Sequence, residues 1–313
     1  MSLLRAVALF FVTIVTVIAC GNDFDPGSRI TDLRLLVIAA DKPFAAPGEN
    51  VHLTTLVHEP FGRPLTWAWT TCPLPRESTV NGCLVRLGEL ARASALPPVV
   101  VGRDRSSFDV SIPTNILDGI PEEARENALF GVVAVVCPGD LTIKDFATAT
   151  TSELPFRCVE AGSGVELPYE RYAVAVKRIF IYPRDRNQNP AITGVTWDGS
   201  PWLENDVKEA RACDFDSNDF DDCKGETHEF IVSVAPGTVE TGTTEYGSPF
   251  TEDVIVQNYA TEGVFEFDVK TITEPKTRWA ARNQTRGQTV TTWFVVRDNR
   301  GGVSWTSRQV RVP

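Results

Sequence analysis

The sequence is poor in the features that usually announce chemistry. It has three histidines in 313 residues. No His-Glu-x-x-His, Gly-x-Ser-x-Gly or Gly-x-x-x-x-Gly-Lys pattern occurs, so the common routes to zinc hydrolysis, serine acyl transfer and phosphate cradling are not written in it. No Cys-x-x-Cys pair is present to seed a zinc site. There is no run of lysine and arginine, and 41 acidic against 30 basic residues leave a net charge of −11, which argues against a nucleic-acid partner. Long helical periodicities are scarce. The one long apolar run, Ala6–Ala19, has fourteen residues; as a helix it would span about 21 Å, short of a hydrocarbon core of about 30 Å.

That run does have the length of the apolar region of an export signal, with Arg5 before it and Cys20 closing it. Val17-Ile18-Ala19-Cys20 resembles the bacterial lipobox, an aliphatic residue, a variable one, a small one and then cysteine. The resemblance implies cleavage before Cys20 and lipidation of its thiol, with several acyl chains holding the protein on a membrane as one chain cannot. An ordinary cleaved signal that happens to end in cysteine is the alternative. Residues 20–29, Cys20-Gly21-Asn22-Asp23-Phe24-Asp25-Pro26-Gly27-Ser28-Arg29, read as a short polar tether.

Six cysteines follow: Cys72, Cys83, Cys137, Cys158, Cys213 and Cys223. An even number in an exported chain favours disulfides over free thiols. Separations of eleven, twenty-one and ten residues make the sequential pairing the simplest of those allowed. Loops that short contribute about 2–3 kcal/mol each when closed without strain.

Period-two patterns dominate the rest. Val51, Leu53 and Val57 alternate with His52, Thr54 and His58, and Leu65, Trp67 and Trp69 share one face of the next segment. Further strands are expected at 33–38, 99–101, 108–112, 130–137, 147–151, 192–197, 229–234, 253–259, 264–269, 289–297 and 303–312. Tyr172–Tyr182 is apolar on both faces, the signature of a strand covered on both sides or of one leading into a domain junction. The only helical signal read here is Pro121-Glu122-Glu123, a proline at a first-turn position with acids behind it. In the last strand Val303 and Trp305 have one parity, Val310 and Val312 the other. If all four face the core, a β-bulge must lie near Ser307-Arg308.

Short strands punctuated by turns make a sandwich or a barrel. Two stretches narrow this further. Pro47-Gly48-Glu49-Asn50-Val51-His52-Leu53 followed by Pro64-Leu65-Thr66-Trp67-Ala68-Trp69 resembles the opening of PKD-type and related immunoglobulin-like domains. Trp293-Phe294-Val295-Val296-Arg297-Asp298-Asn299-Arg300-Gly301-Gly302-Val303-Ser304-Trp305 looks like the closing strands of immunoglobulin-like lipoproteins of myxobacteria and their relatives. The resemblance implies an all-β chain of two tandem immunoglobulin-like β-sandwiches in the cell envelope, and no activity. The polar stretch Pro183–Pro190 sets the boundary: signal peptide 1–19, tether 20–29, first domain 30–184, second domain 185–313.

One constellation suggests a ligand. Between Cys213 and Cys223 lie Asp214, Asp216, Asn218, Asp219, Asp221 and Asp222. Asp214, Asp216 and Asn218 stand at positions 1, 3 and 5 of a calcium-loop pattern, but Asp219 replaces the glycine of position 6 and Gly225 the glutamate of position 12. The competing reading is a solvated acidic loop stapled by a disulfide. His52 and His58 lie about 20 Å apart along one strand, too far to share a metal; with His228 they read as single structural histidines. Trp67, Trp69, Trp293 and Trp305 read as core, and Trp67 or Trp69 against a disulfide would resemble the usual inter-sheet pin. Trp197 and Trp202, flanking Asp198-Gly199-Ser200-Pro201, either pack over that turn or form an exposed pair able to stack on a sugar ring.

The expectation is therefore a lipid-anchored lipoprotein of the cell envelope, on the outer membrane and facing periplasm or exterior, with a non-catalytic structural or interaction role. Its partners are the membrane through Cys20 and an envelope protein or glycan. No cofactor is required, calcium being the one the acidic loop suggests. A calcium-assisted glycan- or protein-binding module is the alternative, and a hydrolase with an unrecognised site the third reading.

Overall fold

The computed structural model describes residues 26–75, 77, 79–147, 155–181, 186–214, 216–243 and 249–313. The signal, Cys20, most of the tether and most of the strand expected at 147–151 lie outside the described residues. The first half gives β1 Arg34–Ala40, β2 Phe44–Ala45, β3 Asn50–His58, β4 Thr66–Pro73, helix α1 Val80–Arg92, β5 Val100–Arg103, β6 Ser107–Ser111, β7 Leu129–Cys137, β8 Asp140–Ile143, β9 Phe156–Val159 and β10 Ala173–Ile181. The second gives β11 Ile192–Trp197, β12 Ser200–Pro201, β13 Val207–Glu209, β14 His228–Val234, β15 Thr241–Thr243, β16 Pro249–Thr251, β17 Ile255–Ala260, β18 Val264–Phe265, β19 Val269–Thr271, β20 Thr277–Ala280, β21 Gln288–Arg297 and β22 Val303–Val312.

Alternation drives the first sandwich. Sheet β1-β3-β6 faces sheet β2-β10-β7-β4-β5, and Val51, Leu53 and Val110 meet Trp67, Trp69, Val132, Ala134, Ile179 and Ile181 between them. Both tryptophans of β4 point inward and stack at 5.8 Å, with Trp69 also stacked on Phe108 of the facing sheet at 5.4 Å. In the second half β12-β11-β14-β20-β18 faces β13-β22-β21-β17-β19, around Val195, Phe230, Trp279, Phe294 and Val310. Each half ends with a strand paired in parallel to a short early one, β10 with β2 and β22 with β13, in otherwise antiparallel sheets. The chain is all-β, two immunoglobulin-like sandwiches in succession.

The first half differs from the sequence reading in several elements: the short strands β2, β8 and β9 were not expected. Helix α1 was not expected. Thr79 caps it, its hydroxyl accepting from the Gly82 amide at 3.0 Å, and Leu84 and Leu87 pack on Ala68, Val133 and Val135, the outer face of the larger sheet. That third layer explains the two-faced strands: in β10, Ala173, Ala175, Ile179 and Ile181 face the sandwich core, while Val174 and Val176 face the helix layer. The disulfides belong to this outer layer as well. Cys72–Cys83 ties β4 to α1 and Cys137–Cys158 ties β7 to β9, with Cα separations of 5.6 Å and 5.7 Å. Neither backs a tryptophan, because Cys72 has the parity opposite to Trp67 and Trp69. Gly131 is what admits the first bridge: a Cβ there would lie 2.7 Å from the Cys83 sulfur.

The bulge expected near Ser307-Arg308 is absent. Strands β21 and β22 pair without a register shift from Gln288↔Val312 to Arg297↔Val303. Val310 and Val312 face the second core, whereas Val303 and Trp305 face outward with Trp293 and Val295, against Ile30, Leu36, Val37 and Ala39. The change of parity marks a second buried face, on which β1 lies lengthwise.

Polar groups register this seam. Asn189 donates to the Ala40 carbonyl at 2.7 Å and accepts from the Val303 amide at 2.9 Å. Arg297 donates to the Leu36 carbonyl at 2.6 Å, and Asn187 to Asp298 at 3.1 Å. The guanidinium of Arg300 pairs with Glu240 at 3.0 Å and Glu252 at 3.1 Å, and lies over Phe44 of the first sandwich at 4.8 Å. The stretch Arg186–Pro190 is thus packed into the junction.

Lys177 is a buried cation of the seam, 7% exposed, its Nζ donating to the Gly301 carbonyl at 2.6 Å. Burial, and next Arg297, push its pKa down to about 8, with Asp298 opposing. Above that value the folded chain gives up a proton that the unfolded chain holds to 10.5, so this lysine raises stability as pH climbs from 8 to 10.5. Below 8 the full cost of the buried charge is present. Lys177→Met should remove this dependence. In denaturant unfolding at stepped pH, the native chain should gain up to about 3 kcal/mol relative to the variant across that window; parallel curves would refute the assignment.

Candidate functional site

The acidic loop closes one end of the second sandwich. Its ends are joined by Cys213–Cys223, with Cα atoms 5.7 Å apart, and its start is stitched to the sheet by the Cys213 amide bonding to the Ala281 carbonyl at 2.8 Å. Phe220 plugs the loop into the body against Val264 and Ala280. Arg278 lies 5.0 Å over the Phe220 ring and binds Glu266 through two bonds of 2.8 and 2.9 Å, which holds the Glu266 carboxyl below its ordinary range.

The loop's oxygens turn to separate partners. Asp214 meets Arg286 at 3.1 Å, an exposed pair worth little. Asp216 accepts from the Gln284 amide at 2.6 Å. Asp219 caps the short 3-10 turn Phe220–Asp222 by accepting from the Asp221 amide at 3.0 Å, and Asp221 and Asp222 are exposed. Asn218 turns inward. Its carbonyl oxygen accepts from Arg29 at 2.9 Å and from Arg282 at 3.1 Å. The first, third and fifth positions of the calcium pattern therefore diverge. Among the described residues no group of three or more His, Cys, Asp or Glu is placed to hold a metal ion.

What the loop does hold is the end of the tether. Arg29 is 5% exposed and Arg282 6% exposed. Glu262 lies between them, 2.8 Å from Nε of Arg282 and 3.8 Å from Arg29, and it also accepts from the Gly263 amide at 2.8 Å. The backbone follows the side chain: Arg29 bridges Ala260 in parallel, the Ile30 amide donates to the Ala260 carbonyl at 2.8 Å, and the Ala260 amide donates to the Ser28 carbonyl at 2.9 Å. Residues 28–30 thus extend the second sandwich although they precede the first in the chain. Beside them a cleft of about 520 Å³ runs between Pro26, Phe220, Asp221, Phe265 and Phe267.

The remaining singled-out residues are dispersed. His52 pairs with Asp109 at 2.7 Å on the surface. His58 packs on Trp293 at 5.0 Å, and burial lowers its pKa against the opposing pull of Glu59. His228 sits by Asp198 at 2.8 Å and stacks on Trp197 at 4.3 Å. Trp197 and Trp202 are buried and meet edge to face at 4.8 Å, with the Trp202 N–H donating to the Asp206 carbonyl at 3.0 Å. They pack over their turn and offer no exposed platform for a sugar. Sequence reasoning passed over Arg29, Glu262 and Arg282. The one available signal was that Arg29 is the sole basic residue of the tether.

Two outcomes are expected. Glu262→Ala leaves two buried guanidinium groups facing each other and should cost about 3–5 kcal/mol in denaturant unfolding, more than Arg29→Ala. Calcium chloride at millimolar concentration should leave the melting temperature unchanged, since the loop's inward oxygens are already engaged by arginine and backbone donors. A rise in melting temperature with calcium would restore the cation reading.

No family model matches this chain, and no curated protein matches it. Solved structures give low-scoring alignments. Red sea bream transglutaminase aligns over 92% of this chain and 32% of its own length at 12% identity, with a TM-score of 0.25. The Ig1-2 module of the Drosophila receptor protein tyrosine phosphatase DLAR aligns over 90% and 99% at 8% identity, TM-score 0.24. The Yersinia pseudotuberculosis adhesin InvE aligns over 93% and 62% at 11%, TM-score 0.21. The chain spans about a third of the transglutaminase that it aligns with.

Proposed function

We propose that this protein is a lipid-anchored, non-catalytic lipoprotein of the cell envelope, whose two immunoglobulin-like sandwiches act as one body in a structural or interaction role. Three disulfides indicate an extracytoplasmic chain. Among the described residues no helix is long and apolar enough to cross a membrane, and the lipobox-like Val17–Cys20 would supply the attachment. The observation that carries the reading is the docking of Ser28–Ile30 on the second sandwich while β1, only a few residues on, belongs to the first. A lead-in strand packed into both sandwiches suits a body held at a surface. Ionisable groups buried or half-buried in the body have structural partners: Lys177 a carbonyl, Glu252 the Arg300 guanidinium, Glu262 that of Arg282. They hold the body together.

The anchor is tested by metabolic palmitate labelling and vesicle flotation of the native chain and Cys20→Ser. Label and flotation should both vanish in the variant; label that persists would refute the anchor. Scanning calorimetry tests the single body. One unfolding transition is expected, because the seam couples the two cores; two well-separated transitions would overturn that part of the proposal.

A further inference from the structure

The tether leaves the body at one pole. Strand β1 begins there at Arg34, paired with His58, and its guanidinium reaches the Gly27 carbonyl at 3.5 Å. Asp32 is held by Arg171 at 3.2 Å, and Arg29 by Asn218 of the acidic loop. The far end of β1, at Ala40, lies by Asn189. The opposite pole gathers there: Glu49 with Arg186, and Arg300 with Glu240.

Three aromatic rings are among the exposed large hydrophobic residues: Phe61 at 63%, Tyr169 at 54% and Phe267 at 50%. All three belong to the tether pole. Phe61 follows His58 by three residues in the loop after β3. Tyr169 lies in the same short 3-10 turn as Arg171, the partner of Asp32. Phe267 shares the wall of a cleft with Pro26, the first described residue of the tether. A cation stacks on two of the three, Arg63 over Phe61 at 5.0 Å and Lys270 over Phe267 at 4.7 Å. A phenyl ring capped by a long cationic side chain, which keeps its charge at headgroup depth, and a tyrosine with its polar hydroxyl both suit the interface between headgroups and acyl chains.

We propose that the anchored body lies on the bilayer by this pole, with Phe61, Tyr169 and Phe267 as its lipid contacts and the loops about Glu49 and Arg300 facing away. The proposal rests on lipidation at Cys20, the reading given above. Only the five residues Gly21–Asp25 separate that cysteine from Pro26, six residue steps in all. Fully extended they reach about 20 Å, so the tether pole cannot leave the neighbourhood of the membrane. Single exposed hydrophobic residues need no explanation, but three rings gathered around one anchor point do. Asp219, Asp221 and Glu266 flank Phe267, so the surface suits uncharged headgroups better than anionic ones.

Hydrogen exchange read by mass spectrometry tests this on the full mature chain. The lipidated protein in phosphatidylcholine vesicles is compared with soluble Cys20→Ser. Exchange should slow severalfold at 59–65, 166–171 and 266–270, and stay unchanged at 46–49 and 298–301. The triple variant Phe61→Ser, Tyr169→Ser, Phe267→Ser should still float with the vesicles and lose that protection. Flotation without protection, protection at the opposite pole, or protection that survives the triple variant would each overturn the docking face and leave the anchor standing. Failure of the native chain to float would overturn both.

Discussion

The arrangement depends on one sheet being buried on both faces. Strands β17, β21 and β22 turn Val256, Phe294, Val296 and Val310 toward the second core, and Trp293, Val295, Val303, Tyr259 and Trp305 toward β1. A sandwich that stood alone would expose this outer row to water, at about 1.5–3 kcal/mol for each large side chain fully uncovered. Covering it with β1 leaves the first sandwich no freedom to swing, and brings the few residues before β1 alongside Ala260. The packed linker, the docked tether and the two poles follow from that coverage.

Most of the long strands, the two-sandwich architecture and the cysteine pairing were legible because they rest on local signals: period-two alternation, turn residues and short loop closures. Short strands such as β8, β9 and β20 carry too few residues for such a pattern. Helix α1 was missed although Leu84, Leu87 and Ala91 stand at helical spacing behind Thr79. Strand-like patterns flank it on both sides, and three apolar positions at helical spacing are a weak local signal against them. The parity switch between Trp305 and Val310 is plain in the sequence and open to two explanations. For a strand with one core to face, only a bulge reconciles the pattern. With a second buried face a regular strand does so, and Tyr172–Tyr182, read as covered on both sides, carried the same message in the other half.

The candidate site was legible as a place and illegible as an interaction. The loop from Cys213 to Cys223 declared itself by composition, and uncompensated carboxylates in a small loop do need an opposite charge. A cation was the local way to supply it. The chain instead brings the Arg286 guanidinium to Asp214 from 72 residues on, and two more to the neutral Asn218 carbonyl, from 189 residues before it, at Arg29, and from 64 residues after it, at Arg282. No window of sequence contains both ends of such a contact. Glu262 shows why the cluster persists: it offsets part of the repulsion between two guanidinium groups, and the Asn218 carbonyl supplies a neutral acceptor to each.

The seam divides its labour between apolar and polar groups. Valine, alanine and leucine on β1 could slide along the outer face of β21 and β22 by a repeat and exchange one apolar contact for another at little loss. The polar bonds could not. Asn189 bonds both Ala40 and Val303, Arg297 reaches Leu36, and Lys177 reaches Gly301. A shift along the strand breaks these together, and each buried group left without its partner costs about 1–3 kcal/mol. Lys177 in particular is an expensive way to bind a carbonyl, since burial has already pulled its pKa down to about 8. A methionine there would adhere as well and would accept the wrong register equally well. The lysine gives up stability at neutral pH for a single alignment of the two sandwiches, and that alignment decides which loops lie beside the tether and which lie opposite.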